Sequence, residues 1–187
     1  MRLPLHRPRN CIGRSHTHVR RLPGVVTVEP PVPTLTPVGR GFCYTHDVGL
    51  VADDDRARLD REWVWRMLST EVYWHRWRTR EQVEAQLDGA WRVVGVYDDV
   101  IGTQVGFARA VSDGVNDAYL ADVVVDPAQR GRGAGKLLVQ AMVDDGPGAD
   151  FRWTLFTGDA HGLYEQYGFA APNESAMVRP SARPVRT

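Results

Sequence analysis

Seven consecutive residues, Arg130-Gly131-Arg132-Gly133-Ala134-Gly135-Lys136, combine three glycines with three cations. Glycine lacks the Cβ that keeps a backbone away from a ligand, and Arg and Lys supply charge for an oxyanion. Leu137, Leu138, Ala141 and Met142 follow at the spacing of one helical face. A helix starting here leaves its first N–H groups without partners and has the positive end of its dipole at the loop, so the chemistry predicted is binding of a phosphate or pyrophosphate. Two familiar phosphate loops do not fit. A Walker loop needs glycine five residues before the Gly-Lys pair and Ser or Thr after it, where this chain has Arg130 and Leu137. The dinucleotide fingerprint fails because its third glycine would fall on Lys136.

The loop does match R/Q-x-x-G-x-G/A, and on that motif the chain resembles the GNAT superfamily of N-acetyltransferases, where this loop holds the pyrophosphate of acyl-coenzyme A. The preceding Val123-Val124-Val125-Asp126-Pro127 is similar to the strand and turn that introduce the loop there. Downstream, Gly162-Leu163-Tyr164-Glu165-Gln166-Tyr167-Gly168-Phe169 resembles the LYEKLGF signature of the same superfamily. The resemblance covers roughly residues 42 to 180 and is strongest to small bacterial-type members. It implies an α/β fold built on a mixed sheet, with splayed central strands and helices on both faces. It also implies acetyl-CoA as co-substrate, no metal, and an amine of a small molecule or peptide as acceptor. The backbone near Val123 and Val125 would bond the pantetheine arm like an extra strand, and Arg130, Gly131, Arg132, Gly133, Ala134, Gly135 and Lys136 would hold the pyrophosphate.

Acyl transfer from a thioester to an amine needs a neutral amine, stabilisation of the oxyanion and a proton for the departing thiolate. Tyr164 is the candidate acid. Its phenol, with an ordinary pKa of ~10, is protonated at neutral pH, and it stands where the resemblance puts the superfamily's tyrosine. Asp122, the only carboxylate inside the expected central strand, is the candidate base, because burial would raise its pKa; it could equally serve as a structural hydrogen-bond acceptor. Glu165 and His161 are lesser candidates. Tyr73 and Trp74, within Val72-Tyr73-Trp74-His75-Arg76-Trp77, are candidates for lining an acceptor pocket. One departure from the family pattern is Thr157, seven residues before the tyrosine, where an asparagine often contacts coenzyme A.

These residues require a particular set of elements to position them. Phe42 to Asp47 reads as a first strand, and Leu59, Trp63, Val64, Met67 and Leu68 give a helical stripe behind the acidic Asp53-Asp54-Asp55. Thr79 and Gln82 form a capping box for a second, short helix that Gly89 ends. Trp91 to Tyr97 and Gln104 to Val111 read as an antiparallel pair, and Tyr119 to Val125 as the central strand. A long helix should follow the glycine loop and stop at Asp144-Asp145-Gly146-Pro147-Gly148. Trp153 to Thr157 reads as a strand, Asp159 as the cap of a helix through Tyr167, and Ala176 to Arg179 as a closing strand.

Composition narrows the setting. The 187 residues suffice for one domain with a full core. Cys11 and Cys43 are the only cysteines and lack any ligand spacing, so a reducing cytoplasm is expected and a zinc site is not. No apolar run has the length of a membrane span. Residues 1–40 are rich in Pro and hold seven arginines against Glu29 alone, which reads as a disordered leader before a single domain at 41–187. Of the 23 basic and 23 acidic residues, 16 and 22 lie beyond residue 40, so the folded part is acidic and a nucleic-acid partner is disfavoured. A monomer or homodimer is expected. The alternative function is a non-catalytic acyl-CoA-binding or regulatory domain; the presence of Tyr164 favours the enzyme.

Overall fold

A computed structural model describes residues 36–38, 41–46, 49–72 and 78–179, the first two stretches as backbone only. Among the described residues seven strands form one sheet in chain order: β1 Thr36–Val38, β2 Gly41–His46, β3 Leu50–Asp53, β4 Arg92–Asp98, β5 Gln104–Ser112, β6 Asp117–Val125 and β7 Arg152–Thr154. Neighbours are antiparallel except β6 and β7, which run parallel, so the sheet is mixed. The single expected strand near residue 42 is thus a β2–β3 hairpin, and β1 pairs with β2 from within the stretch read as a leader. Leu50, Val51 and Ala52 are buried, but a run of three apolar residues is too short to announce a strand by its period.

Among the described residues two helices cover one face. Helix α1, Arg61–Thr70, begins at Asp60, whose carboxylate accepts from Trp63 N–H, and buries Trp63, Val64, Met67 and Leu68. The triplet Asp53-Asp54-Asp55 therefore lies before the helix, and the cap is a later acid. Helix α2, Arg80–Asp88, starts at the Thr79–Gln82 capping box with both reciprocal bonds present, and Val83 and Leu87 form its buried side. These side chains pack with Val93, Phe107 and Val124 of the sheet. Pleating sends the alternate residues Val94, Val96, Ala108 and Ala110 to the opposite face. There they meet α3, Ala134–Val139, together with the π-helical turn Gln140–Asp144 that continues it.

The expected long helix is thus a short α-helix ending in a wider π turn. The guanidinium of Arg92, on β4, explains how the wider turn is tolerated. Its Nη1 donates to the carbonyls of Ala141, 2.7 Å, and Met142, 3.1 Å, while its Nε bonds Asp54 at 2.9 Å. A buried cation thereby satisfies carbonyls that the π turn presents. Helix α4, His161–Tyr164, runs into a 3₁₀ turn, Glu165–Tyr167, closed by Gly168 at φ 78°. Asp159 does not cap it. Thr157 Oγ1 accepts from Ala160 N–H at 3.1 Å instead, so the hydroxyl at the position of the family's asparagine shapes the entry to this helix. The expected closing strand is absent: 176–179 carry no regular structure and Met177 is almost fully exposed.

Candidate functional site

The β6–β7 pairing lasts three residues, from Asp117↔Arg152 to Tyr119↔Thr154, and then stops. Beyond it β6 continues to Val125 with no strand on that side among the described residues, and the chain after β7 diverges from it. The result is a wedge-shaped cleft of about 1270 Å³. A strand edge left open in this way presents backbone N–H and C=O groups that must find other partners.

The cause of the divergence is local to β6. Register with β5 runs Arg109↔Ala121 and then Phe107↔Val124, so two residues, Asp122 and Val123, stand opposite Ala108 alone. This is a β-bulge, and Asp122 sits in it at φ 52°, the one non-glycine residue with positive φ among those described. Aspartate is one of the few side chains that tolerates this conformation. A bulge bends the strand that carries it and disrupts its ladder, and this one lies three residues past the end of the β6–β7 pairing.

At the far end of β6, Asp126 accepts from Ala128 N–H and turns the chain into the glycine loop. Gly131 and Gly133 hold φ of 80° and 88°, left-handed conformations that a side chain would strain, and Gly133 leads into α3. Arg130, Gly131, Arg132, Gly133, Ala134, Gly135 and Lys136 all line the cleft, as do Val123 and Val125. The three cations are not equivalent. Arg132 Nη1 bonds Asp98 at 2.7 Å, tying the loop to the end of β4, and holds the Asp98 carboxyl below its usual range. Arg130 and Lys136 form no side-chain ion pair among the described residues.

Tyr164 forms the opposite wall. It is buried against the core, with its ring edge-on to Phe169 at 5.8 Å, yet it lines the cleft. Burial pushes its phenol up to about 12, helped by the negative charge of Asp159. The hydroxyl bonds no described residue, so the packing role that competes with an acid role does not use it.

Asp122 departs from its expected electrostatics. Burial, the largest single influence, pushes its carboxyl up, but the bonds and charges of Arg78 and Arg109 together outweigh it, and the pKa falls below the ordinary value. Arg78 donates to both carboxylate oxygens at 2.9 and 2.7 Å, and Arg109 Nε donates to Oδ2 at 2.5 Å. A carboxylate held this way is ionised but has its oxygens committed, which is a poor state for collecting a proton. The expectation of a raised pKa is therefore corrected, and the reason is two guanidiniums that approach from β5 and from the segment before α2.

Tyr73 and Trp74 lie outside the described residues. Val72 and Arg78, on either side of that segment, both line the cleft. Sequence reading passed over Arg78 and Arg109; the signal for the latter was a lone charge inside the apolar run Val105-Gly106-Phe107-Ala108-Arg109-Ala110-Val111. It also passed over the aromatic pair Tyr119 and Phe156, whose rings stand 6.0 Å apart on the cleft wall. Among the described residues no group of three or more His, Cys, Asp or Glu could hold a metal ion, and no helix is long and apolar enough to cross a membrane.

Comparison with known proteins shows the family of the chain. The model of the acetyltransferase (GNAT) family matches residues 57–169. A crystal structure of a protein of the GNAT family from Xanthomonas campestris pv. campestris is 36% identical, covers 71% of this chain and 93% of its own, and superposes with a TM-score of 0.65. Serotonin N-acetyltransferase 2, chloroplastic, from rice (Oryza sativa subsp. japonica) is 38% identical over 71 residues, 37% of this chain and 36% of the rice protein. GCN5-related N-acetyltransferase 1, chloroplastic, from Arabidopsis thaliana is 34% identical over 68 residues, 36% of this chain and 34% of its own. The match thus spans about a third of each plant protein.

Proposed function

Because the chain belongs to the GNAT family of acetyltransferases, we propose that it transfers the acetyl group of acetyl-CoA to the nitrogen of an amine. The observation that carries this reading is the convergence of the open β6 edge, the left-handed glycine loop and the Tyr164 phenol on one cleft. The fit is specific. Gly131 and Gly133, both at positive φ, carry no Cβ to hold a ligand off the backbone, and Arg130 and Lys136 bring cations that no described carboxylate pairs with. When bound there, acetyl-CoA supplies the activated acyl carbon and a thiolate leaving group.

The roles of the chain's own residues follow. Backbone N–H groups of the loop, with Arg130 and Lys136, hold the pyrophosphate, while Arg132 fixes the loop to β4 through Asp98. The open edge of β6 pairs with the amide groups of the pantetheine arm at Val123 and Val125. The bulge at Asp122 presents an adjacent N–H to the thioester oxygen, an oxyanion-hole donor held by backbone and therefore preorganised. As the C–N bond forms and the C–S bond breaks, the Tyr164 phenol gives its proton to the departing sulfur. With a pKa of about 12 it is protonated across the whole neutral range. Asp122 acts by position: it anchors Arg78 and Arg109 and stabilises the bulge. The amine loses its proton to water, and Tyr164 regains one from solvent.

The test is a screen of small-molecule and peptide amines, following free thiol released from acetyl-CoA, with wild type beside Tyr164→Phe. Acetylation of some amine by the wild type, with kcat about 10²-fold lower in the variant, is the expected result. Binding of acetyl-CoA without acetylation of any amine would favour a non-catalytic acyl-CoA-binding domain. Equal kcat values would remove Tyr164 from the mechanism.

A further inference from the structure

The cleft holds a buried charge that the cofactor does not use. Arg109 projects from β5 opposite Ala121, at the edge of the bulge, and is 8% exposed while lining the cleft. Its one bond to a described residue runs from Nε to Asp122 Oδ2, so Nη1 and Nη2 are without partners among the described residues. Arg78 meets the same carboxylate, so Arg109 shares its one carboxylate partner with a second guanidinium. Burying a cation without full compensation is unfavourable, and an incoming anion relieves it.

The anions of acetyl-CoA do not reach this point. The β5–β6 register places Gly106 beside Val125, next to the glycine loop, and Arg109 three residues further along β5, roughly 10 Å away at ~3.3 Å per residue. The pantetheine arm and the acetyl group that would lie between carry no charge. Of the other carboxylates on the cleft wall, Glu71 and Asp159 are exposed, and Glu71 accepts a bond from Thr70. Neither bonds Arg109. The exposed rings of Tyr119 and Phe156 add an apolar surface to the same cleft.

We infer that the acceptor amine carries an oxyanion, a carboxylate or a phosphate, which the Nη1–Nη2 fork of Arg109 binds in bidentate fashion while the apolar part of the molecule lies on Tyr119 and Phe156. The planar guanidinium fork suits either anion. The amine in this statement rests on the acetyltransferase reading above; the anion rests on Arg109 alone.

The two can be tested separately. The full-length protein, saturated with coenzyme A, is titrated calorimetrically with phenylacetate, phenyl phosphate and the uncharged phenylacetamide. At least one anion should bind about 10-fold or more tightly than the amide, and the tighter of the two identifies the oxyanion. Arg109→Gln should bring all three within about 2-fold of one another in a protein that still unfolds cooperatively. Arg109→Lys, which keeps a cation toward Asp122 but lacks the fork, serves if the glutamine variant does not fold. Equal affinities in the wild type, an anion preference that survives Arg109→Gln, or one undiminished in Arg109→Lys, overturn the inference. In turnover, amines bearing the oxyanion that the titration selects should be acetylated with higher kcat/KM than the amines that differ from them only by its loss, and the opposite order also overturns it. If no amine is acetylated, the acetyltransferase reading fails while the titrations still decide the anion site.

Discussion

Replacing Asp122 by asparagine tests whether this residue anchors the site through its charge. Asparagine has nearly the same volume and also tolerates a positive φ, so the bulge at φ 52° is not strained by the change. What it removes is the negative charge that faces Arg78 and Arg109, both 8% exposed. Three charge-assisted bonds, at 2.9, 2.7 and 2.5 Å, are lost or weakened together. Breaking one side of a buried ion pair costs about 3–5 kcal/mol, chiefly because the other charge stays buried without compensation. For a chain of this size about 1 kcal/mol moves Tm by roughly 2–4 °C, so calorimetry should show a fall of roughly 6–20 °C. The pH dependence supplies a second readout. The folded pKa of Asp122 lies below its unfolded value of ~3.9, so as pH falls the unfolded chain takes up the proton first. The stabilisation is complete above the unfolded value and is lost as pH falls through the folded one, a limb that Asp122→Asn should flatten. A variant within about 1 kcal/mol of wild type, with an unchanged acid limb, would refute the anchoring argument.

The remaining expectations concern single positions. Because the Tyr164 phenol titrates at about 12, the wild-type kcat should show no alkaline fall from this group below about pH 10, and a fall between pH 8 and 9 that disappears in Tyr164→Phe would contradict its burial. Gly133→Ala should destabilise the loop by about 1–2 kcal/mol and weaken acetyl-CoA binding in calorimetry, since φ is 88° there. Gly135→Ala should leave stability within about 0.5 kcal/mol, as its added Cβ meets Leu163 and Val125 only at the ordinary contact distances of 3.7 and 3.8 Å. Gly146→Ala should cost about 1–3 kcal/mol in denaturant unfolding, because the new Cβ would overlap the Arg92 guanidinium that Asp54, Ala141 and Met142 hold in place.

Much of the site was legible because it depends on local backbone chemistry. A run of β-branched residues ended by Asp126-Pro127, three glycines and a helical stripe dictate strand, loop and helix within about 25 residues, and the resemblance of two motifs pointed to the family. The capping box at Thr79 and the antiparallel pair before β6 were readable for the same reason, since each is set by neighbours a few residues apart. Short strands such as β3, and the truncated α3 with its π turn, were not, because their stability comes from partners far along the chain: β4 for the former and the Arg92 guanidinium for the latter. The electrostatics of Asp122 show the division most clearly. Its sequence position correctly implies burial, and burial alone raises a carboxyl pKa. The opposite outcome required Arg78, 44 residues away, and Arg109, 13 residues away, to meet on one carboxylate. Charge–charge attraction and hydrogen bonding act over a few ångströms of space and are blind to distance along the chain, so only the tertiary structure could decide them.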